Sequence, residues 1–134
     1  MMKYICKAIG KQEGQAMVEM AMVLPILLLL FMGIFEVGRI MGAYMIISDL
    51  ARDGVRHGVV GYSDQQIVEL INNQRIWLDA DRMDIDINAI TGERRRGEPL
   101  EVTVRYSLPL VAPFISAIIP NPFPLESRCY MRIE

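Results

Sequence analysis

Apolar residues fill one continuous run near the start of the chain and then change their spacing twice. The sixteen residues from Met20 to Phe35 carry no charge and are bounded by Glu19 and Glu36. At ~1.5 Å per helical residue this run covers about 24 Å, which is less than the ~30 Å hydrocarbon core of a bilayer. Residues 16–18 and 37–38 lengthen it, so the pattern predicts a helix that just spans a membrane.

Beyond the run, apolar residues recur at helical spacing. Steps of three and four residues join Ile40, Tyr44, Ile47, Ala51 and Val55. This stripe predicts that the helix continues outside the bilayer with one face on a folded domain. Gly54, Gly58 and Gly61 each cost about 1 kcal/mol inside a helix, so we expect the helix to end near residue 60. Pro25 removes one backbone hydrogen bond and predicts a kink.

The second half of the chain predicts a short helix followed by strands. Ser63 and Gln66 match a capping box, and the helix that they start should run to about Asn73. Apolar and polar residues then alternate over 83–89, over 100–108 and again over 125–133, which predicts three half-buried strands. The proline-rich residues between the last two strands predict an irregular crossing.

These elements define an α+β fold in three parts. Residues 1–14 form a basic leader, residues 15–61 a long helix that spans the membrane in its first half, and residues 62–134 a small exported domain with a roughly three-stranded antiparallel sheet. The helical stripe beyond the bilayer should cover one face of that sheet. Residues 39–134 are therefore expected to share one core.

The layout of the chain, more than its charge, predicts an orientation with the N-terminus in the cytoplasm. The net charge is −2, and the three lysines, Lys3, Lys7 and Lys11, all precede the apolar run. Arginines that follow the run bring the positive-inside count close to a tie, but the basic stub is tiny and a whole domain follows the helix. The mildly acidic body predicts no nucleic-acid partner.

An ordinary cleaved signal peptide is the alternative for the apolar run. Against it, Glu36 and Arg39 follow the run without a small-residue cleavage site, and the leader would exceed the usual ~15–30 residues. Cys6 and Cys129 lie on opposite sides of the run and therefore predict no disulfide.

The chain offers no predicted catalytic, cofactor or metal site. His57 is the single histidine, so a multi-histidine metal site and a serine triad built on a second histidine are excluded. The four aspartates between Asp79 and Asp86 lack the glycine and terminal glutamate of a calcium-binding loop, so a solvated strand face is favoured. The Arg94–Arg96 cluster is typical of a loop tip, with an acidic partner or lipid headgroups as the alternative.

Residues 14–58 resemble the TadE-like family of tight-adherence pilus proteins. The resemblance rests on the segment GQAMVE at 14–19, on Pro25, and on the later segments FEVGR and LARDGVRHG. It implies a class III prepilin leader that an inner-membrane prepilin peptidase cuts between Gly14 and Gln15. It also implies that Glu19, the fifth mature residue, meets the N-terminal amine of a neighbouring subunit during assembly. Burying an unpaired charge in an apolar helix is costly, so such a partner suits this carboxylate.

Two departures narrow what the resemblance implies. Met20 follows Glu19 where the short major pilins of the system carry tyrosine, and the mature chain is much longer than theirs. The resemblance therefore implies a minor pilin or pseudopilin of the bacterial inner membrane, with the peptidase, other minor and major pilins and the pilus assembly platform as partners. The pilus would serve adhesion and biofilm formation.

Two other classes of function are weighed against a minor pilin. The first is an uncleaved single-pass envelope protein whose exported domain binds a ligand. The second is an enzyme, which the lack of a catalytic constellation argues against.

Overall fold

A computed structural model describes the backbone of residues 2–89 and 94–133 and the side chains from residue 14 onward. The chain divides into two compact units, Met1–Phe35 and Glu36–Glu134. Helix α1, Met2–Val59, supplies all the described residues of the first unit and the opening element of the second. It continues through Pro25, and the kink expected there stays a prediction.

The described residues of the first unit are helical, and those from residue 14 onward form no core. From residue 14 to residue 35 every side chain is exposed apart from the partly covered Gly33. Leucine, isoleucine, methionine and phenylalanine side chains therefore face outward on all sides. A helix that is apolar all round needs a non-aqueous environment, as a membrane span does.

The second unit adds a short helix and one sheet to the end of α1. Helix α2 covers Asp64–Gln74, and strands β1, β2 and β3 cover Met83–Ala89, Pro99–Leu108 and Phe123–Arg132. The sheet has the order β1-β2-β3 and is antiparallel throughout. The predicted α+β class and all three predicted strands are confirmed.

The core of the second unit lies between one face of the sheet and the two helices. Strand β2 contributes alternate residues from Leu100 to Leu108, all of them buried. Helix α2 adds Ile67 and Ile71. Helix α1 adds a fully or nearly fully buried stripe, consisting of Ala43, Ile47, Leu50, Ala51 and Val55.

One member of the predicted helical stripe is wrong. Tyr44 is 47% exposed, whereas its neighbour Ala43 is completely buried. A 100° step separates adjacent residues of a helix, and Ala43 shares a face with Ile47 and Leu50. The small alanine lets the helix approach the core, and Tyr44 is turned to the edge of that contact.

Two glycines inside α1 allow the helices and sheet to approach closely. A methyl group on Gly54 would lie 3.1 Å from Ile71 Cδ1 and 3.3 Å from Val102 Cγ1, and one on Gly58 would overlap Leu100 Cδ2. The helix ends at Val59, which confirms the predicted end. It nevertheless runs through Gly54 and Gly58, which make room for α2 and β2, and the chain turns at Gly61 with φ +102°.

The capping box at the start of α2 is confirmed. The backbone N–H of Gln66 donates to Ser63 Oγ at 3.4 Å, and the N–H of Ser63 donates to Gln66 Oε1 at 3.0 Å. Arg94 also binds this region: its guanidinium contacts the Asp64 carboxylate and donates to the Tyr62 carbonyl at 2.6 Å. Arg94 thus ties the loop between β1 and β2 to the start of α2.

Candidate functional site: the apolar helix and its two flanking carboxylates

The apolar part of α1 meets the requirements of a membrane span. The described helix from Gly14 to Val59 is long and apolar enough to cross a bilayer, and its most apolar 18-residue stretch buries no side chain against the rest of the protein. Between Gly14 and Phe35 the sequence places a single charged residue, Glu19. By its composition and exposure, this helix is suited to anchoring the chain in a membrane.

Glu19 lies on the exposed surface of this helix, one turn after Gln15. The side-chain amide of Gln15 donates a hydrogen bond of 3.2 Å to the Glu19 carboxylate, which is the common i to i+4 geometry on a helix. An amide satisfies one lone pair but leaves the charge uncompensated. Within residues 14–35, then, the sequence-predicted site residues Gln15 and Glu19 are brought together and no cation is placed beside them.

Gly14 and Pro25 occupy helical positions. A methyl group on Gly14 would meet no atom within 4 Å, so packing in this chain does not require a glycine there. Whether Gly14 marks a cleavage point, and whether Pro25 bends the helix, stay predictions.

The carboxylate at the other end of the apolar run has an opposite environment. Glu36 is 1% exposed and accepts a hydrogen bond of 2.9 Å from the Arg39 guanidinium. The backbone N–H of Val111 donates to both carboxylate oxygens of Glu36, at 3.3 and 3.4 Å. Arg39 also donates to the Pro109 carbonyl at 3.2 Å. Glu36 and Arg39 together fasten residues 109–111 to the start of the second unit.

Sequence reasoning used Glu36 as the boundary of the apolar run and as part of the family resemblance, and it missed this role. Glu36 lies seven residues before Ala43 and eleven before Ile47, spacings that put all three on one face of a helix. The signal was therefore present in the periodicity. Its partner could not be found the same way, because residues 109–111 lie in an irregular segment whose path no repeat predicts.

The segment between β2 and β3 is apolar and held in place by its own hydrogen bonds. We call residues 109–122 the crossing loop. Leu110 N–H donates to Asn121 Oδ1 at 3.1 Å, Ser116 Oγ donates to the Pro113 carbonyl at 2.7 Å, and a short 3-10 turn covers Ile115–Ala117. The predicted irregular crossing is thus an ordered loop.

The outer face of the sheet carries ion pairs across the strands. Arg105 on β2 lies in register with Asp84 on β1 and Glu126 on β3, and donates to them at 3.1 and 3.2 Å. The hydrogen bond from Arg128 holds the pKa of Glu126 below its ordinary value, burial opposes this, and Arg105 reinforces it. Among the described residues, no three histidine, cysteine, aspartate or glutamate side chains are grouped to hold a metal.

His57 and Cys129 have surroundings typical of structural residues. His57 Nδ1 lies 2.8 Å from the Asp53 carbonyl oxygen, and its ring meets the Tyr62 ring edge to face. Cys129 is a free thiol packed at the margin of the core. These contacts belong to the end of α1 and to the sheet, well along the chain from the apolar run.

Comparison with known proteins finds a match for the segment that contains Glu19 and Glu36. No curated protein and no solved structure matches the chain. The family model described as TadE-like protein matches residues 14–56, a stretch that includes Glu19, the apolar run and the Glu36–Arg39 pair. The resemblance predicted from the sequence is therefore confirmed over these residues, and the chain carries a TadE-like segment.

Proposed function

We propose that this protein is a minor pilin or pseudopilin that helps to initiate, cap or anchor a tight-adherence pilus. The observation that carries the proposal is the exposed Glu19 carboxylate, which is the single charge on an otherwise apolar helix surface and has an amide, rather than a cation, as its described partner. The TadE-like match over residues 14–56 includes it.

The chemistry of the mature N-terminus explains why a pilus subunit needs this carboxylate. In our proposal, a prepilin peptidase cuts between Gly14 and Gln15 on the cytoplasmic side of the inner membrane. The cut removes Lys3, Lys7 and Lys11 and leaves an ammonium group on Gln15. An ammonium and a carboxylate from adjacent subunits neutralise each other in a low-dielectric environment, where either charge alone would be costly.

Gly14 suits the proposed cleavage because proteases bind extended backbone. Residues around Gly14 are helical, so the peptidase must unwind at least one turn to reach the bond. Glycine lowers the stability of a helix by about 1 kcal/mol relative to alanine and leaves the backbone unobstructed. Both effects favour local opening at this position.

The proposed partners follow from the same arrangement. Helix α1 sits in the inner membrane with its N-terminus in the cytoplasm and the second unit exported. Other minor and major pilins would pack beside it and would supply or receive the Glu19 contact, on the assembly platform of the pilus. The assembled pilus would then mediate surface adhesion and biofilm growth.

Two substitutions test the processing and assembly steps separately. Gly14→Leu should block the cut, leaving a protein about 14 residues heavier by mass spectrometry in cells that express the peptidase. Gly33→Leu is the matched control, because a methyl group on Gly33 also meets no atom within 4 Å, and it should be processed normally. Equal masses for wild type and Gly14→Leu would contradict the leader.

Glu19→Ala should be processed and inserted normally but should not co-purify with partner pilins, because the partner ammonium is left unmatched. Normal pilus assembly with Glu19→Ala would remove the argument for a polymer subunit. An intact leader on the wild-type protein, together with normal Glu19→Ala function, would instead favour an uncleaved envelope protein with a ligand-binding domain.

A further inference from the structure

The apolar surface of α1 extends beyond the run that the sequence defines. From Met20 to Ser48 the sequence has two charged residues, Glu36 and Arg39. Glu36 is buried and Arg39 is 21% exposed, and the two are paired with each other. The outward surface of these 29 residues is therefore nearly free of charge over about 44 Å, compared with the ~30 Å hydrocarbon core and ~40–45 Å of a whole bilayer.

The first turns of α1 within the second unit expose large apolar side chains rather than charges. Val37, Met41 and Met45 are each more than half exposed, and the amphipathic Tyr44 is exposed beside them. Charged and exposed side chains begin at Asp49. The second unit thus has an apolar end near residue 36 and a polar end near residue 59.

The crossing loop adds a second apolar surface to the same end of this unit. No residue from Tyr106 to Leu125 is charged. Val111, Phe114 and Ile118 are 66%, 64% and 85% exposed. The bonds from Val111 N–H to Glu36 and from Arg39 to the Pro109 carbonyl hold this loop against the first turn of α1 in the second unit.

We propose that the crossing loop and the first turns of α1 in the second unit lie in the surface of the bilayer. We call their exposed residues the apolar collar, which consists of Val37, Met41, Tyr44, Met45, Val111, Phe114 and Ile118. In this arrangement the loop enters the interface between headgroups and acyl chains, as the apolar face of an interfacial helix does. The second unit then contacts the bilayer surface directly through these residues.

A lipid surface, rather than another protein, is the occupant that the chain itself indicates. The collar follows the proposed membrane span without interruption, and the span alone covers only about 24 Å of a ~30 Å hydrocarbon core. Tyr44 supplies an amphipathic aromatic ring at this level, and such rings concentrate at membrane interfaces. The inference rests on the proposed membrane anchoring of α1.

Depth-dependent fluorescence quenching in vesicles tests the proposal on the full chain. Trp77→Phe leaves no native tryptophan, so Phe114→Trp places one reporter on the loop and Val60→Trp places a matched reporter just beyond the end of α1. In phosphatidylcholine vesicles containing brominated lipid, Phe114→Trp should show blue-shifted emission and strong quenching. Val60→Trp should keep water-exposed emission that acrylamide quenches. Circular dichroism checks that both variants fold as the wild type does.

The outcomes separate this inference from the anchoring on which it rests. If both proteins resist alkaline extraction from the vesicles but brominated lipid does not quench Phe114→Trp, α1 is anchored and the proposed insertion of the loop is wrong. If Phe114→Trp becomes shielded only when a partner pilin is added, a protein covers the loop and the lipid proposal is also wrong. If alkaline extraction releases both proteins, the anchoring itself fails. Quenching confined to Phe114→Trp supports the proposal.

Discussion

Glu19 and Glu36 flank the same uncharged stretch of one helix, yet the chain provides for them in opposite ways. Glu36 is 1% exposed and receives bonds from a guanidinium and a backbone N–H of its own unit. Glu19 is exposed and receives a side-chain amide. The comparison distinguishes a carboxylate bonded within its own unit from one for which we propose a partner on another subunit.

The same contrast applies to the apolar residues around the two carboxylates. In the second unit, apolar side chains from α1, α2 and the sheet bury one another. In the first unit they face outward on every side. Similar side chains are therefore buried in a core in one region and exposed in the other, so composition alone does not separate the two.

Removing Glu36 should produce the largest effect on stability. Glu36→Ala leaves the part-buried Arg39 and the Val111 N–H without their acceptor, which should lower the free energy of unfolding by about 2–4 kcal/mol. Glu36→Gln keeps an acceptor oxygen and should lose less. Urea unfolding in detergent micelles, followed through Trp77 fluorescence, measures both.

Glu19→Ala is the control that sharpens this comparison. Since its described contact is one exposed hydrogen bond, its unfolding curve in the same micelles should match the wild type. An equal loss of stability from Glu19→Ala and Glu36→Ala would show that the two carboxylates do not differ in the way proposed.

A methyl group on Gly58 should produce the next largest effect. Gly58→Ala places Cβ against Leu100 Cδ2 and Ile67 Cδ1, and overpacking of this kind costs about 1–3 kcal/mol. Alanine recovers up to about 1 kcal/mol of helix propensity, so a net loss of about 1–2 kcal/mol is expected. Thermal unfolding measures it.

Gly42→Ala is the matched change in the same helix. Its Cβ would meet Trp77 Cζ2 at 3.9 Å, an ordinary contact, so the helix propensity should dominate and stabilise the protein by about 0.5–1 kcal/mol. If both alanines stabilised the protein, the close approach of α1 to the sheet would be wrong.

Acidification should produce the smallest effect. The pKa of Glu126 is lowered in the folded protein, first by Arg128, so its contribution is present above the ordinary glutamate pKa and is lost as pH falls through the lowered value. Stability should decline below about pH 4.5. Glu126→Gln should flatten that part of the pH profile, and Arg128→Gln should make the decline smaller because the folded-state pKa of Glu126 moves back toward its ordinary value. An unchanged profile for Glu126→Gln would exclude this contribution.

Most of the architecture was predictable because it follows from short-range periodicity. Strands β1 and β2, from Met83 to Ala89 and from Pro99 to Leu108, begin and end within one residue of their predicted bounds. The cap at Ser63 is formed by residues close in sequence. The candidate functional site was harder to predict from the sequence. Glu36 bonds to Val111 across 75 residues, a pairing that neither spacing nor propensity encodes. The role proposed for Glu19 involves another subunit, which the sequence of one chain does not describe.

The glycines show how a correct position can follow from an incomplete reason. Helix propensity alone predicts that Gly54 and Gly58 weaken α1, and α1 does end at Val59. The structure shows that both glycines also face Ile67 and the sheet, where a larger residue would not fit. Tertiary packing of this kind is visible only once α2 and β2 are placed.

The order of strands in the sheet also bears on how the domain is made. Each strand pairs with its neighbour in sequence, and the last strand, β3, is at an edge. Pairing between strands that are neighbours in sequence keeps the contacts local, which favours rapid folding. Synthesis from the N-terminus produces α1, then α2, then the strands in the order in which they pair. No later strand has to insert between two earlier ones, so the sheet can form in chain order, and β3 is added last.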